Sequence, residues 1–271
     1  MCAALEVSRS GYYAWMRRPP SRRAREDGQL MEVLRTEHAR SGKTYGSPRL
    51  HQRLLRLGYR CGRHRVARLM REDALVGVPQ RRYRRTTQPV AGRELATDRL
   101  QRDFRADQPN AKWVADITYI PTDEGWLYLA VVLDLFSRHI VGWAMAQRMT
   151  DDLVLSALQM ALLRRQPPAG VIHHSDHGGQ YTSTRTMALL AAHDLLASMG
   201  SVGDCYDNAA MESFFATLKR EEVHQAHYAT RNQARLGLFR YIEVFYNRQR
   251  LHSTLGYLSP LEFEQLNSHA P

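Results

Sequence analysis

Lysine is almost missing from this chain: three of its 38 basic residues are Lys and the other 35 are Arg. Cysteine is scarce as well. Cys2, Cys61 and Cys205 are odd in number, far apart and in no CxxC pair, which argues against a disulfide framework or a zinc ribbon and for a reducing cytosol. Long apolar runs are absent too. The longest, "WLYLAVVL", falls far short of the roughly 20 residues that cross a bilayer. No charged-then-apolar signal segment opens the chain, so a soluble protein away from membranes is expected.

What is abundant is positive charge, and it is unevenly spread. Residues 1–112 hold 26 Lys+Arg against 11 Asp+Glu, a net +15, whereas residues 113–271 hold 12 against 16, a net −4, which together give the chain's +11. A genome rich in Arg codons explains the residue type but not the asymmetry. The basic half is built to meet a polyanion.

The two halves also differ in period. Up to about residue 112 the chain reads as short helices with basic joints. In "YGSPRLHQRLLRLG" a helix begins at Ser47 with Pro48 in its first turn, carries Leu50, Leu54 and Leu57 along one stripe, and stops at Gly58. In "RHRVARLMRED" Val66, Leu69 and Met70 face inward while Arg63, Arg65, Arg68 and Arg71 project around the rest. That is the pattern of a recognition helix in a helix-turn-helix spanning about 44–76, although a solvated basic helix has the same appearance. Arg81, Arg82, Arg84 and Arg85 in "RRYRRTTQP" form a basic linker, 81–89, that can lie along phosphates.

From Trp113 strands take over. "WVADITYI", "WLYLAVVLDLF" and "HIVGWAMA" predict three antiparallel strands, the first two joined by "PTDEG". A helix capped at Thr150, a short strand "GVIHHSD" and a helix "STRTMALLAAHDLL" follow, which together make an α/β domain with a mixed sheet. The helix "DNAAMESFFATLK" carries Met211, Phe214, Phe215 and Leu218 at i, i+3, i+4 and i+7, and Glu212 sits on the shoulder of that stripe. Near the C-terminus "SPLE" reads as a capping box of Ser259, Pro260 and Glu262.

Three acids stand out. Asp116 lies inside the first strand, on the face shared with Val114, Thr118 and Ile120, where an ionised carboxylate costs several kcal/mol unless compensated. Asp176 ends the short strand just before Gly178 and Gly179, where ligands of α/β sheets gather. Each acid taken singly has a plainer reading: Asp116 as a cross-strand hydrogen-bonding partner, Asp176 as a turn cap, Glu212 as a solvated helix residue. Together they form a spaced set, with 59 residues between Asp116 and Asp176, 35 between Asp176 and Glu212, and Lys219 two helical turns beyond Glu212. Hard divalent ions prefer such oxygen donors.

"WxxD", "HSDHGGQY" and "DNAAMESFF…K" resemble the three motifs of DDE transposases and retroviral integrases, including the 35-residue gap. "YNRQRLHSTLGYLSP", 246–260, and "SRSGYYAW", 8–15, resemble the end and the start of the second reading frame of the insertion-sequence family called IS-three, so the likeness spans nearly the whole chain. Two departures occur: Gly200, Ser201 and Val202 stand where relatives often carry a basic residue, and His193-Asp194 replaces a glycine turn. The resemblance implies an RNase H-like core. It implies Asp116, Asp176 and Glu212 as catalytic residues and ligands of two Mg²⁺ ions, with Mn²⁺ able to substitute, Asp116 bridging both ions. Water would be the first nucleophile and a freed 3′-OH the second. The DNA would be the element's inverted-repeat ends and a target duplex, bound by a homo-oligomer in the bacterial cytoplasm, with an upstream frame as fusion or partner. Lys219 would face the same site.

The expected division is a basic helical DNA-binding region to about residue 105, an RNase H-like core over 106–225, and a C-terminal helical extension over 226–271. Arg248 and Arg250 in that extension read either as phosphate contacts or as ties for the chain end. Two rivals remain: a non-catalytic protein that only occupies element ends, and a ribonuclease H-class nuclease that cuts without joining. Asp134 is a candidate fourth acid or, more simply, a turn acid. His173, His174, His177 and Asp176 suggest a transition-metal site, but adjacent strand histidines point to opposite faces.

Overall fold

The computed structural model describes residues 2, 5–79, 98–101, 103–200 and 208–267 of the 271-residue chain. It separates into two compact units, Met1–Pro79 and Gln80–Pro271. The basic linker with Arg81, Arg82, Arg84 and Arg85 lies outside the described residues, as does Cys205.

The first unit is helical: α1 (Arg9–Arg17), α2 (Arg22–Arg40), α3 (Ser47–Arg56) and α4 (Arg63–Glu72). Ser21 caps α2 by accepting from the Ala24 amide at 3.1 Å. Leu30 and Leu34 of α2, Leu50 and Leu54 of α3, and Val66, Leu69 and Met70 of α4 are buried where these three helices pack together. Leu57 leaves the expected stripe. The helix stops at Arg56, and Gly58, at φ +85°, turns the chain so that Leu57 is exposed.

The sequence set four arginines of α4 around its outer face; two of them have an internal task instead. Arg65 Nε donates to Asp27 at 2.6 Å and Arg68 Nη2 donates to the same carboxylate at 2.5 Å, fastening α4 to α2. Arg68 also meets Glu72 at 2.7 Å. Arg63 and Arg71 are exposed, with no carboxylate paired to them among the described residues.

In the second unit β1 (Lys112–Ile120), β2 (Leu127–Asp134), β3 (Ile140–Ala146), β4 (Ile172–Ser175) and β5 (Leu196–Met199) form one sheet in the order β3-β2-β1-β4-β5. β1, β2 and β3 pair antiparallel, whereas β4 joins β1 and β5 joins β4 in parallel. This is the mixed sheet that the sequence predicts, with β5 added.

One face of the sheet packs Trp113, Ala115 and Val132 against α5 (Asp151–Arg165) and α6 (Thr184–Ala192). The other face packs Val114, Ile120 and Val131 against α7 (Ala209–Leu218), α8 (Arg231–Phe239) and the turns that follow. Gly142 on β3 marks the closest approach of the first layer: a Cβ there would lie 2.2 Å from the Ala157 carbonyl oxygen of α5. Gly142→Ala is therefore expected to destabilise the protein by about 1 to 3 kcal/mol, read as a drop in thermal midpoint. An unchanged midpoint would mean that the helix can move off the sheet freely.

The boundary after Pro79 falls earlier than the expected residue 105. Leu100 is fully buried in the second unit's core and the Arg99 amide donates to Ser198 Oγ at 2.9 Å, so residues from 98 on belong to the sheet domain. The C-terminal segment is likewise part of that domain. Leu238, Tyr241, Ile242 and Tyr246 share one core with Val114 and Phe214. Asn247 clasps Ile140 of β3, its Oδ1 accepting from the Ile140 amide at 2.9 Å and its Nδ2 donating to the Ile140 carbonyl at 3.0 Å. Arg250 is a correction to the DNA-contact reading. It is buried, and its Nε and Nη2 each donate to Glu221 at 2.7 Å, which ties down the chain end; Arg248 is exposed. The capping box forms as predicted ahead of α9 (Pro260–Asn267): the Ser259 amide donates to Glu262 at 2.8 Å and the Glu262 amide to Ser259 Oγ at 3.3 Å.

Candidate active site

Two neighbouring parallel strands set the first two acids side by side. Val114 on β1 is in register with His174 on β4, and Asp116 and Asp176 each lie two residues further along. Asp116, midway along β1, and Asp176, just past the end of β4, therefore stand level with each other on adjacent strands. Asp116 Oδ1 accepts from the Ile117 amide at 2.7 Å, and Asp176 Oδ1 accepts from the Gly178 amide at 3.0 Å as the loop turns away. One oxygen of each carboxylate thus remains without a hydrogen bond among the described residues.

α7 brings the third acid. Its N-cap, Asn208, donates from Nδ2 to the Ala115 carbonyl at 3.2 Å, and just beyond its last turn Lys219 Nζ lies 4.6 Å from the centre of the Tyr119 ring. Eleven helical residues rise about 16 Å and four strand residues about 13 Å, so α7 runs along β1 from Ala115 to Tyr119. Met211, Phe214, Phe215 and Leu218 are all buried against the sheet. This clamps one side of α7 and leaves Glu212, in its first turn, exposed beside the strand that carries Asp116.

The electrostatics agree with the register. The Asp116 carboxyl is pushed up to about 7 from an ordinary 3.8, first by its burial and then by the Asp176 carboxylate, with Glu212 adding to the rise. The Ile117 amide and Lys219 pull the other way. Burial lowers the Lys219 ammonium, and Asp116 offsets part of that. The Tyr181 hydroxyl is buried without a hydrogen bond among the described residues, and its pKa is raised by burial and by Asp116 and Asp176.

A sign follows for stability. Because the folded state holds the Asp116 proton more tightly than the unfolded chain, Asp116 destabilises the fold progressively as pH rises from about 4 to 7, and the loss is complete above 7. Asp116→Asn, without divalent ions, is therefore expected to be more stable than the parent at pH 8 by about 2 kcal/mol. That is half of what the full shift corresponds to, because the group is partly solvated. The difference should vanish near pH 4. Urea unfolding of both proteins across this range measures it, and a gap that does not change with pH would contradict the raised pKa of Asp116.

Asp134 is a turn acid. It is fully buried and accepts from the Asn110 amide at 2.7 Å and the Phe136 amide at 2.8 Å. The histidines do not converge. His173 is buried, which lowers its pKa to about 4; His174 Nδ1 lies 2.9 Å from Ser198 Oγ; and His177 Nε2 donates to the Gly200 carbonyl at 2.5 Å. Among the described residues no three His, Cys, Asp or Glu side chains stand close enough to grip one metal ion. That holds for the three acids as well, which are near enough to repel one another but not drawn together.

Three models of known families match the chain, two of them within the sheet domain. Residues 106–205 match an integrase core domain, 24–83 an HTH-like domain, and 212–267 a second integrase core model. The transposase InsF of insertion sequence IS3A from Escherichia coli K12 is 45% identical over 98% of this chain and 93% of its own length. The chain belongs to the IS-three family of transposases. A 31 kDa protein of insertion element IS600 from Shigella sonnei is 44% identical to this transposase over 98% of it and 97% of that protein. Among solved structures, a simian T-cell lymphotropic virus intasome in complex with the PP2A regulatory subunit B56 gamma shares the fold of the transposase. The TM-score is 0.51 at 15% identity, over 89% of this chain and 75% of that one. The sheet domain is RNase H-like, as the resemblance implied.

Sequence reasoning missed what surrounds Lys219. Tyr119 and Trp126 were read only as strand residues, yet both are exposed, the Tyr119 ring meets that ammonium, and Trp126 packs edge-on against Tyr119. The available signal was their position at the two ends of the β1–β2 turn, where outward aromatics have no core to fill.

Proposed function

We propose that this transposase cuts and joins the ends of its own insertion sequence at a site made by Asp116, Asp176 and Glu212. The observation that carries the proposal is the shared register of Asp116 and Asp176, with α7 laid along β1 so that Glu212 joins them. The donors fit a hard divalent cation: three carboxylates, with free oxygens on at least two and no imidazole or thiolate among them. Two Mg²⁺ ions, or Mn²⁺ in their place, would relieve charge on the attacking and leaving oxygens of a phosphodiester.

The chain's own contribution is to hold the three acids apart until charge compensation draws them in. Lys219, two turns past Glu212 and beside Asp116, would hold a phosphate of the reacting strand. In the first step water attacks phosphorus and a 3′-oxygen leaves, taking a proton to become a 3′-OH. In the second step that 3′-OH attacks a target phosphodiester in line and displaces its 3′-oxygen. Phosphodiester bonds are conserved in the second step, so no nucleotide triphosphate is needed.

The helical unit would grip the element's inverted-repeat ends. Arg63 and Arg71 are available for this at once, whereas Arg65 and Arg68 must first exchange Asp27 for DNA. Arg81, Arg82, Arg84, Arg85 and Arg248 are further candidates for phosphate contact. Assembly as a homo-oligomer on DNA, and fusion to or partnership with an upstream frame, complete the reading.

The test is to mix purified full-length protein, Mg²⁺ and a labelled duplex of the element's terminal sequence. Products covalently joined at a 3′-OH support the proposal. Hydrolysis without joining favours a nuclease, and binding with neither reaction favours an end-occupying protein.

A further inference from the structure

Beside the three acids the surface carries two aromatic rings that no core explains. Tyr119 is 54% exposed and Trp126 49% exposed, and their ring centres lie 4.9 Å apart with planes at 76°. Lys219 Nζ sits 4.6 Å from the centre of the Tyr119 ring. Behind them Arg231 Nε donates to the Trp126 carbonyl at 3.1 Å, fixing the turn between β1 and β2. The pairing of β1 with β4 ends at Val114, so β4 does not cover the strand where it carries Tyr119.

A corner of two rings lets a third flat ring lie face-on to one while meeting the edge of the other. An ammonium at the same corner selects for a flat group attached to negative charge. A nucleobase on its phosphate chain fits both demands, and an apolar protein surface fits only the first. Distance sharpens this. Along the backbone Tyr119 is three residues from Asp116, a rise of about 10 Å or about three base steps at 3.4 Å each. Although alternation starts the two side chains on opposite faces of β1, Lys219 links them, meeting the Tyr119 ring and acting on the Asp116 carboxyl. In a closed duplex the bases are stacked on each other, so only an unpaired one can offer its face.

We propose that Tyr119 and Trp126, with Lys219 beside them, form a stacking shelf for one unpaired nucleobase of a DNA end, within three nucleotides of the phosphate that reacts. The proposal rests on the reading that the three acids process DNA ends. The shelf would hold the end open so that the scissile strand reaches Asp116 and Asp176 without its partner.

Full-length protein in EDTA, where no strand is cut, is titrated by fluorescence anisotropy with three duplexes of the element's terminal sequence. One is fully paired, one has its last three nucleotides unpaired on either strand, and one has abasic sites at those unpaired positions. The parent is expected to bind the unpaired end about ten-fold more tightly than its abasic counterpart. Tyr119→Ala and Trp126→Leu should lose most of that discrimination, and Tyr119→Phe, which keeps the ring, should retain it. Equal affinity of the parent for the base-bearing and abasic ends overturns the shelf, and this comparison needs no variant to fold. Full discrimination by the folded Tyr119→Ala and Trp126→Leu proteins also overturns it. Failure to bind any of the duplexes would sink the DNA-end reading itself and the shelf with it; binding without base discrimination sinks the shelf alone.

Discussion

Glu212→Gln should lower cleavage and joining of element ends by about 10³-fold, the effect of several kcal/mol of lost charge stabilisation, while end binding stays within about two-fold of the parent. The substitution keeps the size and the hydrogen-bonding reach of the side chain. It leaves Met211, Phe214, Phe215 and Leu218 clamped to the sheet, so α7 keeps its course along β1. What it removes is one charge from a cluster whose members already raise the pKa of Asp116. Strand-transfer gels and mobility shifts on the same DNA separate the two quantities. A parallel loss of binding and joining would mean that Glu212 shapes the DNA surface and does not serve the reaction.

The second large effect concerns stability. Arg250→Ala should cost about 3 to 5 kcal/mol, because it strands the buried Glu221 carboxylate that Arg250 grips with two hydrogen bonds of 2.7 Å. The Tyr241 hydroxyl also donates to Glu221 at 2.9 Å and Arg220 Nη2 lies 3.6 Å from it, but neither a neutral donor nor that longer contact replaces the two-bond grip of Arg250. Removing both charges, Glu221→Gln with Arg250→Met, should recover much of the loss, since the desolvation cost then disappears with the charge. Denaturant unfolding of the single and double variants decides it. If Arg250→Ala unfolds at the parent's midpoint, Arg250 is not the tie that the geometry describes. Glu221 belongs to the π-helical stretch Lys219–Val223 that continues α7, so the same pair steadies the backbone of Lys219.

How much of this was legible in the sequence depends on the range of the interaction. The stripe on α7, the three antiparallel strands and the capping box at Ser259 follow from spacing over a few residues, and the sequence states that spacing directly. β5 did not follow. Its four residues, "LASM", lack β-branched side chains, and Leu196 reads as the end of the helix "STRTMALLAAHDLL", so no strand shows until β4 supplies a parallel partner. Asp194, at φ +54°, makes the intervening turn where a glycine was the expected residue.

The charged residues divide along the same line. Arg65 and Arg68 project outward by helical period, but Asp27 lies 38 and 41 residues away in sequence and only the fold reveals the pairing. Arg250 looked like part of a basic tail for the same reason, with Glu221 29 residues earlier. The candidate site was readable because chemistry limits its residue types and because family spacing carried the long-range information that local patterns lack. The exposed corner at Tyr119 and Trp126 carried only the weaker signal of its place at the β1–β2 turn, since aromatic residues in strands are ordinarily core.

The account's central claim is that Asp116, Asp176 and Glu212 act as one unit, and the measurement that tests it most directly is joining by Asp116→Asn, Asp176→Asn, Glu212→Gln and the triple variant. All four are assayed on the same labelled ends in Mg²⁺, beside end binding. The prediction is that each single variant loses about as much joining as the triple, as expected when a unit fails with any member removed, and that all four still bind ends. A single variant that joins ends at near the parent rate, or losses that simply multiply from one to three substitutions, would contradict it.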